Sequence, residues 1–106
     1  MKIIETALQV LSDEIDGINL LEEFFDSNFE DAVKKIFESK GKVVVTGVGK
    51  SGHIGRKISE KLSSTGTPSF FIHPTEASHG DMGMIDKNDV IFAISWSGET
   101  LSLIHI

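Results

Sequence analysis

An α/β fold built on a parallel, doubly wound sheet is predicted by three features of this sequence. The stretch Lys42 to Gly52, KVVVTGVGKSG, carries Val43, Val44 and Val45 straight into alternating glycines. An unrelieved β-branched run of this kind marks a strand buried on both faces of a parallel sheet. Val90-Ile91-Phe92-Ala93-Ile94 repeats the pattern and runs into Ser95-Trp96-Ser97-Gly98-Glu99-Thr100. Between them Ile54, Ile58 and Leu62 recur four apart, with Arg56, Lys57, Glu60 and Lys61 on the other faces, as in the crossover helix of a βαβ unit. The predicted arrangement has three layers: two N-terminal helices, then strand, helix, strand, loop and strand.

Composition narrows the class. At 106 residues the chain holds at most one domain and is short for a complete doubly wound one. The sheet is therefore expected to be truncated after its third strand. The net charge is -6, and the ten Lys and Arg gather into no basic stripe, which argues against a nucleic-acid partner. The absence of cysteine excludes disulfides, a thiolate nucleophile and a thiolate metal site. Glu5, Thr6 and Gln9 interrupt the apolar residues of MKIIETALQV, and no long apolar run follows. Neither a signal peptide nor a membrane span is expected, and the expected location is the cytoplasm.

Taken in order, Ile4, Leu8, Leu11, Ile15 and Ile18 form one stripe of a long helix. The spacing is also heptad-like. Packing against the domain's own sheet is the favoured reading; a helix lying across a second subunit is the alternative. Gly17 costs that helix about 1 kcal/mol against Ala and marks a bend or end. Ser27 to Glu30 has capping-box spacing, and Phe29, Ala32, Val33, Ile36 and Phe37 follow at helical intervals until Lys40-Gly41. Residues 63–68, SSTGTP, break the crossover helix, and Ser69 to Ile72 form a short second strand. His73 to Ile85, HPTEASHGDMGMI, is a long loop with room for one helical turn. Asp86 to Asp89 is a turn before the third strand. Residues 1–41 thus form N-terminal helices, and 42–100 the first part of the sheet domain.

Gly47-Val48-Gly49-Lys50-Ser51-Gly52 matches G-x-G-x-x-G between a strand and a helix. A nicotinamide enzyme would add an acidic residue at the end of the next strand, but that strand ends in Ile72-His73 and Glu76 comes late. A P-loop would need glycine where Val44 stands. Lys50 and Ser51 after the first strand, with Ser95, Ser97 and Thr100 after the third, suit one phosphate instead: hydroxyls, backbone N–H groups and a point charge at a topological switch point. The plainer reading is that these hydroxyls cap two helices; the spacing favours phosphate. His79, beside Gly80 and Asp81, is a candidate acid, base or ligand, although a lone loop histidine is more often a surface group. His53 belongs to the first turn of the crossover helix, close to Lys50, and His73 beside Pro74 reads as structural. Spacing does not make His73, Glu76, His79 and Asp81 converge on a metal.

These residues carry a family likeness. GVGKSGHIGRKISEKLSSTGTPSFFIHPTEASHGDMGMI, followed by DVIFAISWSGET, resembles the sugar isomerase (SIS) domain of the D-arabinose 5-phosphate isomerase family. The resemblance is strong from Lys42 to Thr100 and looser over the N-terminal helices. Ser95 to Thr100 is a signature of SIS domains generally; GKSGHIGRK, TGTPSFF and the HP-x-E-A-x-HGD-x-GM block point to the isomerases. It implies a flavodoxin-like parallel sheet, followed in most members by CBS modules. It also implies conversion between ribulose 5-phosphate and arabinose 5-phosphate, which feeds Kdo and lipopolysaccharide synthesis. Lys50 and His79 match catalytic positions, and His79 also matches a holder of inhibitory zinc. Ser51, Ser95, Ser97 and Thr100 match sugar-phosphate contacts, with Gly49, Thr75 and Trp96 completing the substrate-binding set. Trp96 departs from the Asn or Gln common there, a change that a backbone contact tolerates.

By the same resemblance the partner is a small sugar phosphate, no cofactor is required, and the full-length protein is a homo-oligomer, expected to be a tetramer. SIS domains also serve as non-catalytic sugar-phosphate sensors in regulators, but no basic recognition helix precedes this one. Family members carry a catalytically relevant Glu near the position of Ser102, which Leu101-Ser102-Leu103-Ile104-His105-Ile106 lacks; Glu99 is the only nearby substitute and reads more simply as a helix N-terminal carboxylate. Residues 101–106 can be back-translated into a transposon-end adapter and are expected to be a non-native tail. The 106-residue chain is accordingly expected to be inactive by itself.

Overall fold

A computed structural model describes residues 1–78 and 81–95. Its elements are α1 (Ile3–Leu20), a 3-10 turn (Leu21–Phe24), α2 (Ser27–Glu38), β1 (Val43–Gly47), α3 (Lys50–Ser64), β2 (Ser69–Phe71), α4 (Pro74–Ser78), a second 3-10 turn (Asp81–Met84) and β3 (Val90–Ile94). The loop after β2 thus holds two short helical turns where the sequence suggested one. Two compact units divide the chain, Met1–Lys34 and Lys35–Ile106.

In the first unit α1 continues through Gly17 and ends three residues later at Leu20. Its stripe of Ile4, Leu8, Leu11, Ile15 and Ile18 stays 49% to 73% exposed and no residue of α1 is buried. The capping residue of α2 is Asp26 rather than Ser27. Its Oδ1 accepts the Phe29 N–H at 3.1 Å, because a carboxylate one residue earlier reaches the first-turn amides.

The second unit is the parallel sheet, ordered β2-β1-β3. Val43, Val44 and Val45 pair with Ser69, Phe70 and Phe71 on one side and with Val90, Ile91 and Phe92 on the other. As the middle strand β1 is inaccessible along its whole length, which is why its sequence shows no alternation. The chain leaves α3 through a Schellman turn: Gly66 at φ 103° lets the Thr67 N–H reach the Leu62 carbonyl at 2.8 Å, and Pro68 stops further helix. At the far edge β3 alternates. Ile91 and Ala93 are exposed while Val90, Phe92 and Ile94 are half-buried, which corrects the expectation of a fully buried third strand.

Helix α3 meets the sheet through a face other than the predicted one. Its buried residues are Gly52, Gly55 and Ser59, while Ile54 is exposed and Ile58 and Leu62 are half-buried. The reason is distance. A Cβ on Gly55 would stand 3.1 Å from both Phe71 and Val45, and one on Gly52 would stand 2.8 Å from the Gly47 carbonyl oxygen. Small residues let the helix lie directly on β1, and dispersion over that close contact replaces the burial of larger side chains.

Candidate active site

The close seating of α3 shapes the carboxyl end of the sheet. Gly49 occupies the N-cap at φ 61° and provides no side-chain cap. This is a left-handed conformation that only glycine adopts cheaply. Lys50 and Ser51 open the helix, so their side chains stand at the positive end of its dipole.

The structure divides the glycine turn between two recesses. Val48, Lys50, Ser51 and Ile54 line one of about 360 Å³. Gly47, Gly49, Gly52, His53, Arg56 and His73 line another of about 230 Å³, with Phe71. Lys50 and Ser51 are therefore together, as the motif predicts, but Gly49 opens onto the second recess. There the Arg56 guanidinium lies over the Phe71 ring, 4.3 Å from its centroid, a cation–π contact that orients the group. The Thr75 N–H donates to His73 Nδ1 at 3.1 Å, which leaves Nε2 as the donor nitrogen of the neutral ring. Thr75 is exposed in α4. Ser95 follows β3 directly and is half-buried.

His79, Trp96, Ser97 and Thr100 lie outside the described residues, as do Glu99 and the tail at 101–106. Among the described residues no group of three His, Cys, Asp or Glu side chains is placed to hold a metal, and no helix is long and apolar enough to cross a membrane. The sequence reading missed the grouping of His53, Arg56 and His73. Half of it was visible in the i, i+3 spacing of His53 and Arg56 on one helix; the approach of His73 depends on β2 lying beside β1.

The opposite end of the sheet is also polar, and a recess of about 320 Å³ there is lined by Lys40, Gly41, Lys42, Pro68, Asp86, Asn88 and Asp89. Asp89, whose side chain is inaccessible to solvent, accepts N–H groups from Lys42 and Asp86, each at 2.7 Å, and pairs with the Lys42 ammonium at 3.2 Å. The Asp86 N–H first, then the Lys42 N–H, hold its carboxyl below the usual 3.8; desolvation opposes them and the Lys42 ammonium reinforces them.

Comparison with known proteins adds the following. Residues 35–106 match the SIS domain family, beginning where the second compact unit begins. Arabinose 5-phosphate isomerase KdsD of Shigella flexneri is 54% identical over 92 residues, covering 87% of this chain and 28% of the relative. The chain thus spans under a third of the curated relatives it matches. An Escherichia coli CFT073 protein solved in complex with arabinose 5-phosphate superposes with a TM-score of 0.80 at 42% identity, over 99% of this chain and 57% of that one. A Bacteroides fragilis structure described as a phosphosugar isomerase involved in capsule formation gives 0.85 at 36% identity, over 97% and 55%.

Proposed function

The chain belongs to the SIS domain family, and from that footing we propose that the full polypeptide encoded by its gene is an isomerase interconverting D-arabinose 5-phosphate and D-ribulose 5-phosphate. The observation that carries this reading is the 54% identity to a named arabinose 5-phosphate isomerase. A neighbouring structure that holds arabinose 5-phosphate supports it.

The chemistry assigns work to particular residues. Aldose–ketose conversion removes the proton from C2, protonates O1 to give a cis-enediol, then returns a proton to C1 as O2 gives up its own. A base must shuttle the carbon-bound proton, and a donor must neutralise charge on the oxygens. Lys50, at the mouth of its recess, polarises the carbonyl, and His79 relays protons at the sugar. Ser51, Ser95, Ser97 and Thr100 hold the phosphate, whose remote binding energy positions the reacting carbons. Gly49, Thr75 and the Trp96 backbone complete the substrate walls. The enzyme acts in the cytoplasm as a homo-tetramer and supplies Kdo and lipopolysaccharide synthesis.

The test is ketose formation from arabinose 5-phosphate by the full polypeptide. Turnover is expected. Saturable binding of arabinose 5-phosphate without turnover would turn the reading to a sugar-phosphate-binding regulator, and preferential NADH binding would turn it to an oxidoreductase.

A further inference from the structure

The strand order places one recess at the carboxyl end of the sheet away from its switch point. In the order β2-β1-β3 the connections leave β1 toward opposite edges, so the switch-point crevice, where open α/β sheets bind substrate, lies between β1 and β3. His53, Arg56 and His73 gather on the other side of β1, beside Phe71 at the end of β2. That recess lies outside the β1–β3 crevice.

Its chemistry is one-sided. In a chain of net charge -6, the described residues lining this recess include Arg56 and two imidazoles but no carboxylate. Apart from its contact with Phe71, Arg56 makes no hydrogen bond or ion pair among the described residues, so a guanidinium held in place keeps its N–H donors uncommitted. Because His73 Nδ1 is engaged by the Thr75 N–H, its Nε2–H is a donor as well. Gly47, Gly49 and Gly52 add no side chains to the wall, which leaves backbone within reach of a small ligand.

We infer that His53, Arg56 and His73 form an anion-binding recess, on the β2 side of β1, that takes a compact phosphomonoester or phosphate dianion. A forked guanidinium and two imidazole N–H groups match the oxygens of such a group, and about 230 Å³ admits it. The occupant is either the phosphate of the sugar phosphate itself or a second phosphorylated molecule. The inference does not depend on the isomerase reading.

Inorganic phosphate titrated into the full polypeptide, followed by calorimetry and ³¹P line broadening, tests it without reference to turnover. Arg56→Gln should weaken phosphate binding about tenfold and His53→Gln several-fold, as expected for loss of charge-assisted donors. Arg56→Lys should retain part of the affinity. His53 is exposed, so His53→Gln keeps the fold even where Arg56→Gln loses its packing on Phe71; thermal unfolding of each variant checks this. Wild-type phosphate affinity in both variants overturns the inference, as does a loss confined to an unfolded Arg56→Gln. Competition then identifies the occupant. Displacement of phosphate from the Arg56-dependent site by arabinose 5-phosphate assigns it to the sugar's own phosphate, in place of the assignment to Ser51, Ser95, Ser97 and Thr100. Retention of phosphate at saturating sugar phosphate assigns it to a second molecule, and either result supports the recess.

Discussion

The two ends of the sheet are built from similar residues and behave oppositely. At the amino end the groups between the strands are tied to one another. Asp89 accepts from Lys42 and Asp86, while Ser39 donates to the Asn88 carbonyl and accepts the Gly41 N–H, both at 3.1 Å. Gly41 is packed so tightly that a Cβ there would collide with Asp89 Oδ1 and stand 2.6 Å from the Asn88 carbonyl oxygen. At the carboxyl end Gly49 has open space around it, Lys50 is exposed and Arg56 makes no hydrogen bond or ion pair among the described residues. Satisfied polar groups give stability, whereas unsatisfied donors on a rigid scaffold are available to a ligand. At the amino end these bonds tie the segment before β1 to the segment before β3, whereas the carboxyl end presents donors to solvent.

That contrast can be broken in graded ways. The largest effect is expected from Lys50→Ala in the full polypeptide. It should depress kcat by about 10²–10⁴-fold while moving KM little, because the role proposed for Lys50 is at the reacting oxygens; steady-state kinetics on arabinose 5-phosphate measures it, and unchanged unfolding would confine the loss to chemistry. Next comes Gly41→Ala. The atoms it meets are mostly backbone, which has little freedom to yield, so urea unfolding should show a loss of about 1–3 kcal/mol.

A pH titration probes the same end through Asp89. Its folded-state carboxyl titrates below the ordinary 3.8, so its contribution to stability is fully present above that value and is lost as pH falls through the lowered one. Asp89→Asn should therefore flatten the fall of stability with acid below pH 3.8, as read from unfolding midpoints across pH. The smallest effect is expected at Thr46, which is 1% exposed with an Oγ1 that has no hydrogen-bond partner among the described residues. Thr46→Val removes a desolvated hydroxyl at nearly constant shape and should raise stability by about 1 kcal/mol in the same urea assay.

Much of this was legible because it is local. The Val43–Val45 run and the matching Val90–Ile94 run declare the parallel strands β1 and β3, and the glycines after the first declare the turn into α3. Lys50 and Ser51 stand where the glycine turn predicts, at the start of α3. Hydrophobic period misled the reading of α3. It pointed to Ile54, whereas the sheet is met by Gly52, Gly55 and Ser59. Periodicity measures how much apolar area a face offers, not how closely a neighbour can approach it.

The sequence by itself determined the class of fold, the order of its elements and the turn residues, because propensity, β-branching and glycine conformational freedom act over a few neighbouring positions. Only the tertiary structure decided that Asp89 would pair with Lys42, a residue 47 positions away, and that His73 would join His53 and Arg56. It also decided that the glycine turn would open onto two recesses instead of one. Each of these depends on β2 and β3 pairing on opposite sides of β1. Such pairing is settled by burial summed over the whole sheet, which no short stretch of residues records.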